Sequence, residues 1–204
     1  HGIAVDTVGE ALERMKADGV RRVAVQPTLL LGGIEYERLL RVVQGCTGLC
    51  AATGKPLIAG QEDCEALASA IMAEHPLVQE EALLLMGHGT EHAANHVYHA
   101  LQEAFDKKGY RGFIGTVEGE PSFMDAVARL TASASERARL LPLMFVAGEH
   151  AKNDMAGEQE GSFLTCVREA GISAHPVLRG LGESEAIRAL YVRRVETALR
   201  EVER

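Results

Sequence analysis

The sequence has no tryptophan, and its 204 residues include only five phenylalanines and four tyrosines. So few flat side chains argue against a base-stacking surface. Positive charge is also scarce: 21 lysines and arginines face 29 aspartates and glutamates, for a formal net charge of −8. With no Lys/Arg-rich run either, no nucleic-acid partner is expected. No apolar run approaches the ~20 residues of a membrane span, so no membrane partner is expected. The four cysteines, Cys46, Cys50, Cys64 and Cys166, contain no CxxC pair. They read as reduced thiols of a cytoplasmic protein. The chain opens with His1-Gly2 and not with methionine, as expected of a fragment, and a periplasmic form whose signal peptide is gone is the alternative location.

What is present is an alternation of helix-like and strand-like segments, the pattern of an α/β protein with a largely parallel sheet. Residues 6–18 read as a helix capped by Asp6 or Thr7, with Gly19 as its stop. "RRVAVQPTLLLGG" reads as a buried strand entering a glycine loop, and "IEYERLLRVVQGC" as a helix. "GKPLIAG" is expected to be a short strand and "QEDCEALASAIMAEHP" a helix. Strands "EALLLMGHG", "RGFIGTVEG", "ARLLPLMFVAGEH" and "ISAHPVL" then alternate with helices, and "ESEAIRALYVRRVETALREV" closes the chain as a helix. Its apolar face is expected to bury internally, with a homo-oligomer contact as the alternative. Aligning Gly33 of "PTLLLGGIEY" with Gly148 of "PLMFVAGEHA" sets Glu35 opposite His150 and suggests two similar halves.

Ligands of open parallel sheets bind beyond the carboxyl ends of the strands. Three expected strands end near a polar group: His88 after "LLLMG", Glu118 after "FIGTV" and His150 after "LMFVAGE", spaced by thirty and thirty-two residues. Two imidazoles and a carboxylate suit Co²⁺, Ni²⁺, Fe²⁺ or Zn²⁺, and the same groups accept protons. The plainer alternatives are loop histidines with satisfied hydrogen bonds, and a Glu118 that serves the next helix's N-terminus. His92, His96 and His99 fall at i, i+4 and i+7 on one expected helix. They lack the HExxH arrangement that would make a zinc hydrolase a strong rival. His92, in the first turn, is the one expected to reach a ligand.

The segments "MGHGTEHAAN", "GTVEGEPSFMDAV", "LLPLMFVAGEHAKNDMAGE" and "RGLGESEAIRALYVRRV", with "GIAVDTVGEALERMKADGVRRVAVQPTLLLGGIEYERLLRVV" before them, together resemble the anaerobic sirohydrochlorin cobaltochelatases, the CbiK-type class II chelatases. The resemblance covers nearly the whole chain. It implies a ferrochelatase-like fold of two similar Rossmann-like domains, with parallel sheets facing a central cleft that holds a tetrapyrrole. It also implies insertion of Co²⁺, or in some members Fe²⁺, into sirohydrochlorin without ATP. By the same resemblance His88, Glu118 and His150 are the metal-binding and catalytic residues. Gly33, Glu35, Tyr36, Gly89, Thr90, His92 and Met144 are the expected substrate-binding set. The family's opening strand, its "SFGT"-like loop and the following helix have no counterpart here, so the first half is expected to lack its opening β-α unit.

The expected organisation is 1–53 for the first half, 54–185 for the half with the metal site, and 186–204 for a closing helix that packs back on the first half. Lys55, Arg111, Lys152 and Arg179 are candidates to offset the substrate's carboxylates. A carrier that holds metal or tetrapyrrole without turnover is the alternative function.

Overall fold

The computed structural model describes residues 5–203, and the expectation placed on the opening residues lies outside that range. Contacts divide the chain into two compact units, residues 5–59 with 189–203, and residues 60–188. The divisions fall a few residues beyond the 53/54 and 185/186 of the sequence pattern.

In the first unit, helix α1 (Val8–Ala17) starts at Thr7 with a reciprocal capping box: the Glu10 N–H donates to the Thr7 hydroxyl, and the Thr7 N–H to the Glu10 carboxylate. Strand β1 (Arg22–Val25) pairs in parallel with β2 (Cys50–Thr53), and α2 (Ile34–Gly45) connects them. Leu12, Val43 and Leu49 form the core of this layer, with Val23, Val25 and Leu39 against them.

Two expectations need correction here. The strand expected through "RRVAVQPTLLLGG" ends at Val25, because Pro27 brings no N–H to a ladder. "GKPLIAG" is not a strand; the pairing segment is "CAAT", just before it. The N–H groups of Leu57 and Ile58 instead donate to the Leu29 and Leu30 carbonyls, each at 2.9 Å, in an irregular extension. Leu57 and Ile58 are only 2% exposed, so their hydrophobicity reports burial and not strand geometry. The closing helix α7 (Glu185–Glu203) lays Ala198 and Val202 against Ala52 and Ala24, while Val192 and Leu199 stay exposed.

The second unit contains α3 (Gln61–Glu74), β3 (Glu81–Gly89), α4 (His96–Lys107), β4 (Gly112–Glu118), α5 (Phe123–Ala132), β5 (Arg137–Pro142), α6 (Phe163–Glu169) and β6 (Ser173–Pro176). Its sheet is parallel throughout, in the order β4-β3-β5-β6. Strand β3 lies inside the sheet and is covered on both faces, so its "ALLLM" is 0% exposed along its length. Ala82, Leu84 and Met86 face α5 and α6 through Ala126, Leu130, Leu164 and Val167. Leu83 and Leu85 alternate to the other face.

β5 stops at Pro142, well short of the expected run to His150. Beyond Leu143 the chain leaves the sheet, and the carbonyls of Met144 and Phe145 accept from Leu181 and Gly182 at 2.8 and 2.9 Å. None of the described helices is long and apolar enough to cross a membrane.

Removing the Leu84 side chain should lower unfolding stability by about 2–5 kcal/mol in urea titrations, the range for a large-to-small change in a closed core. His75, the C-cap of α3, is held below the usual histidine range by burial first and then by the Arg139 guanidinium, with Arg179 adding and Glu74 opposing. A depressed value favours the neutral ring in the fold. Its stability contribution is therefore complete above the unfolded value near about 6.5 and is lost as pH falls through the folded one. The urea midpoint should fall between pH 7.5 and pH 5, and by less in His75→Gln.

Candidate metal centre

In the order β4-β3-β5-β6 the chain leaves β3 toward β4 on one side and β5 toward β6 on the other. The switch point therefore lies between the carboxyl ends of β3 and β5, where such sheets leave a crevice. His88 is the penultimate residue of β3. His150 lies beyond the loop that follows β5, at the start of a π-helical turn, Ala151–Met155. The two rings meet edge to face, with centroids 4.8 Å apart and planes at 86°. Ala151 and Met155 are both 0% exposed in the α5/α6 core. That burial anchors the turn and leaves His150 outside on its rim.

Each ring has one nitrogen already engaged. His88 Nδ1 lies 3.0 Å from the Gly89 carbonyl. A carbonyl only accepts, so Nδ1 carries the proton and Nε2 keeps its lone pair. His150 Nδ1 lies 2.6 Å from Asp154 Oδ2, which sets the same tautomer. Metal-binding imidazoles commonly show this pattern, one nitrogen hydrogen-bonded and the other free to coordinate. Glu118 ends β4 on the other side of β3, its Cα in register with Gly89. His88, Glu118 and His150 are all exposed. Among the described residues no three His, Cys, Asp or Glu side chains close around a metal-sized space.

Close approach at the end of β3 explains the "MGHG" of the sequence. A Cβ at Gly87 would come within 2.4 Å of the Tyr98 ring, which lies across the strand from α4. The Tyr98 hydroxyl accepts the Gly89 N–H at 3.2 Å, and burial pushes its phenol above the usual range. Gly89 has φ +83°, and a Cβ there would fall 1.4 Å from the Glu118 carbonyl oxygen. Asn95 then ties the two loops, accepting from the Thr90 N–H at 3.1 Å and donating to the Glu120 carbonyl at 2.5 Å.

The cobalt chelatase (CbiK) family matches residues 1–200. The chain belongs to that family. It is 36% identical over 201 residues to a sirohydrochlorin cobaltochelatase of Salmonella typhimurium, covering 97% of this chain and 76% of that one. It is 34% identical over 200 residues to the sirohydrochlorin cobaltochelatase CbiKC of Nitratidesulfovibrio vulgaris, covering 95% and 71%. Two solved structures share the fold across 98% of this chain. SirB from Bacillus subtilis with Fe³⁺ has a TM-score of 0.65 at 15% identity, with 80% of it covered. The sirohydrochlorin chelatase SirB from Bacillus subtilis subspecies spizizenii, in complex with cobalt, has a TM-score of 0.60 at 12% identity, with 79% covered. The two-unit parallel α/β architecture is thus that of the chelatase fold.

The expected substrate-binding residues have the following partners in the structure. His92 is not on a helix with His96 and His99. It precedes a 3₁₀ turn, Ala93–Asn95, and its Nδ1 accepts the Ala94 N–H at 3.0 Å, so its neutral ring carries the proton on Nε2. Thr90 accepts the His92 N–H on its hydroxyl at 3.1 Å and braces the loop. Met144 packs against the α5/α6 core. Gly33 caps α2, with Glu35 exposed and Tyr36 half-buried in its first turn, all in the other unit.

The basic candidates are equally divided. Arg111 is tied to the Glu81 and Val78 carbonyls at the amino end of the strands, the wrong end for the site. Lys152 pairs with Glu149 at 3.2 Å, and Arg179 lies 3.7 Å from Glu183. Lys55 is exposed in the other unit. Tyr98, Asn95 and Asp154, which contact the candidate residues, are those the sequence reading passed over. A carboxylate four positions after a candidate ligand histidine was the available signal for the last.

Gly89→Ala should cost more than about 2 kcal/mol, combining a left-handed backbone with a carbonyl that has nowhere to go. Amide exchange at the end of β4 should accelerate in the same variant. A urea midpoint matching the wild type would contradict the close packing described.

Proposed function

We propose that this chain is a sirohydrochlorin cobaltochelatase that places Co²⁺ into the tetrapyrrole without ATP. The observation that carries the reading is the pair of imidazoles at the switch point, each with Nδ1 engaged and Nε2 free. The family membership and the names of the relatives support the choice of metal and ring.

Insertion requires the ion to lose water, and it requires two pyrrole N–H protons to leave as two metal–nitrogen bonds form. His88 and His150 replace part of the ion's hydration shell while leaving positions open for the pyrrole nitrogens. An ion that is cargo must also be released, so an incomplete ligand set serves better than a closed cage. Glu118, on the neighbouring strand and exposed, completes the ion's surroundings or accepts a pyrrole proton. Fe²⁺ and Ni²⁺ suit the same donors, so the order of preference follows intrinsic affinity and supply. Glu35 and Tyr36 are assigned to the ring, on the resemblance of their segment alone.

The test is to mix the protein anaerobically with sirohydrochlorin and excess Co²⁺ and to follow the absorption of the ring. Many turnovers per chain are expected, with the rate falling at least about 100-fold in His88→Ala and in His150→Ala. Uptake that stops at one equivalent per chain would point to a carrier and sink the enzymatic reading. Wild-type rates in both variants would remove the histidines from the chemistry.

A further inference from the structure

We infer that Asp154 is a positioning residue: it fixes which nitrogen of His150 is presented to the incoming ion. The inference rests on the reading of His150 as a metal ligand and deepens it.

A neutral imidazole free in water populates both tautomers, and only an unprotonated nitrogen binds metal. His88 has its proton held on Nδ1 by a backbone carbonyl, a group that cannot reverse its role. His150 has no such partner. Among the described residues the one group that bonds its ring is the Asp154 carboxylate, at 2.6 Å, and nothing else bonds that carboxylate. The contact is short, as charge-assisted bonds are.

The turn does not depend on this contact for its shape. The Ala156 N–H donates to the Ala151 carbonyl at 3.1 Å, the i→i+5 bond of a π-turn, and the Lys152 N–H donates to the Gly148 carbonyl at 3.2 Å. Ala151 and Met155 hold it from below. The backbone thus brings positions 150 and 154 together whether or not the side chains bond, so the contact is free to serve the ring. Single-turn π-bulges of this kind recur at functional sites.

Asp154 also lines a cavity of about 370 Å³, together with Thr116, Phe123, Gln159, Glu160 and Phe163. The Asp154 side chain is 41% exposed, so its second oxygen is open to water. The two ligand histidines therefore differ: His88 is backed by a neutral carbonyl, and His150 by a carboxylate that raises its donor strength.

The replacement Asp154→Asn keeps the size but lets the amide turn its NH₂ toward Nδ1. That orientation moves the ring proton to Nε2. Long-range ¹H–¹⁵N spectra of the metal-free protein, with the His150 signals assigned through His150→Gln, should show Nδ1–H in the wild type. A mixed or reversed tautomer is expected in Asp154→Asn and in Asp154→Ala. Co²⁺ binding to the metal-free protein should weaken about 10–100-fold in both variants. In the insertion assay the KM for Co²⁺ should rise by a similar factor, with a much smaller loss in kcat at saturating metal.

A purely structural role for Asp154 would lower the thermal midpoint and leave the tautomer alone. If Asp154→Ala does not fold, the isosteric Asp154→Asn decides. An unchanged tautomer, or Co²⁺ affinity within about twofold of wild type, overturns the assignment. A wild-type protein that binds Co²⁺ with the expected tautomer but inserts no metal would sink the chelatase reading and leave Asp154's role standing.

Discussion

A strand buried on both faces can offer polar groups to solvent only at its ends, and that constraint governs the second unit. β3 is closed along "ALLLM", paired on one side by β4 and on the other by β5. Polar chemistry can begin only where the pairing with β5 gives out, at Met86 opposite Pro142. His88 is two residues beyond that point. The glycines around it follow from the same crowding: α4 presses the Tyr98 ring onto one, and the β4 backbone presses onto the other. Larger side chains would separate the layers whose contact aims His88.

His150 arrives by a different route. The chain after β5 leaves the sheet, is pinned by the Leu181–Gly182 segment, and returns as a π-turn fastened through Ala151 and Met155. One histidine is thus held by a ladder and the other by core packing. Both routes converge at the switch point, so the centre inherits the rigidity of the sheet without lying inside it. The stacked pair Phe123 and Phe163, centroids 3.6 Å apart, closes the same core near the cavity behind Asp154.

The sequence made the elements of the second unit largely legible, because each has a clear period and a clear stop. β3 is a continuous apolar run, and α5 carries its own capping box at Ser122 and Asp125. The errors came where apolar residues are buried without regular geometry. "PLI" of "GKPLIAG" imitates a strand because Leu57 and Ile58 are core residues of an irregular segment, and "LMF" after Pro142 imitates an extension of β5 for the same reason. His92 misled through spacing alone. Three histidines at i, i+4 and i+7 share a face only if the helix has begun, and here a 3₁₀ turn intervenes. Tautomers were beyond reach, since they depend on which carbonyl or carboxylate lies beside each ring.

A site for a transferred ion faces opposite demands. It must bind well enough to remove water, and weakly enough to release the metal to the ring. A buried three-ligand cage satisfies the first and fails the second. The proposed site leaves His88, Glu118 and His150 exposed, an arrangement that suits exchange of water and asks that affinity be recovered elsewhere. On the proposed reading, fixing the tautomer of both imidazoles would recover part of it, because each free ring would otherwise spend part of its time with the wrong nitrogen protonated. Prearranged tautomers thus strengthen an open site without closing it.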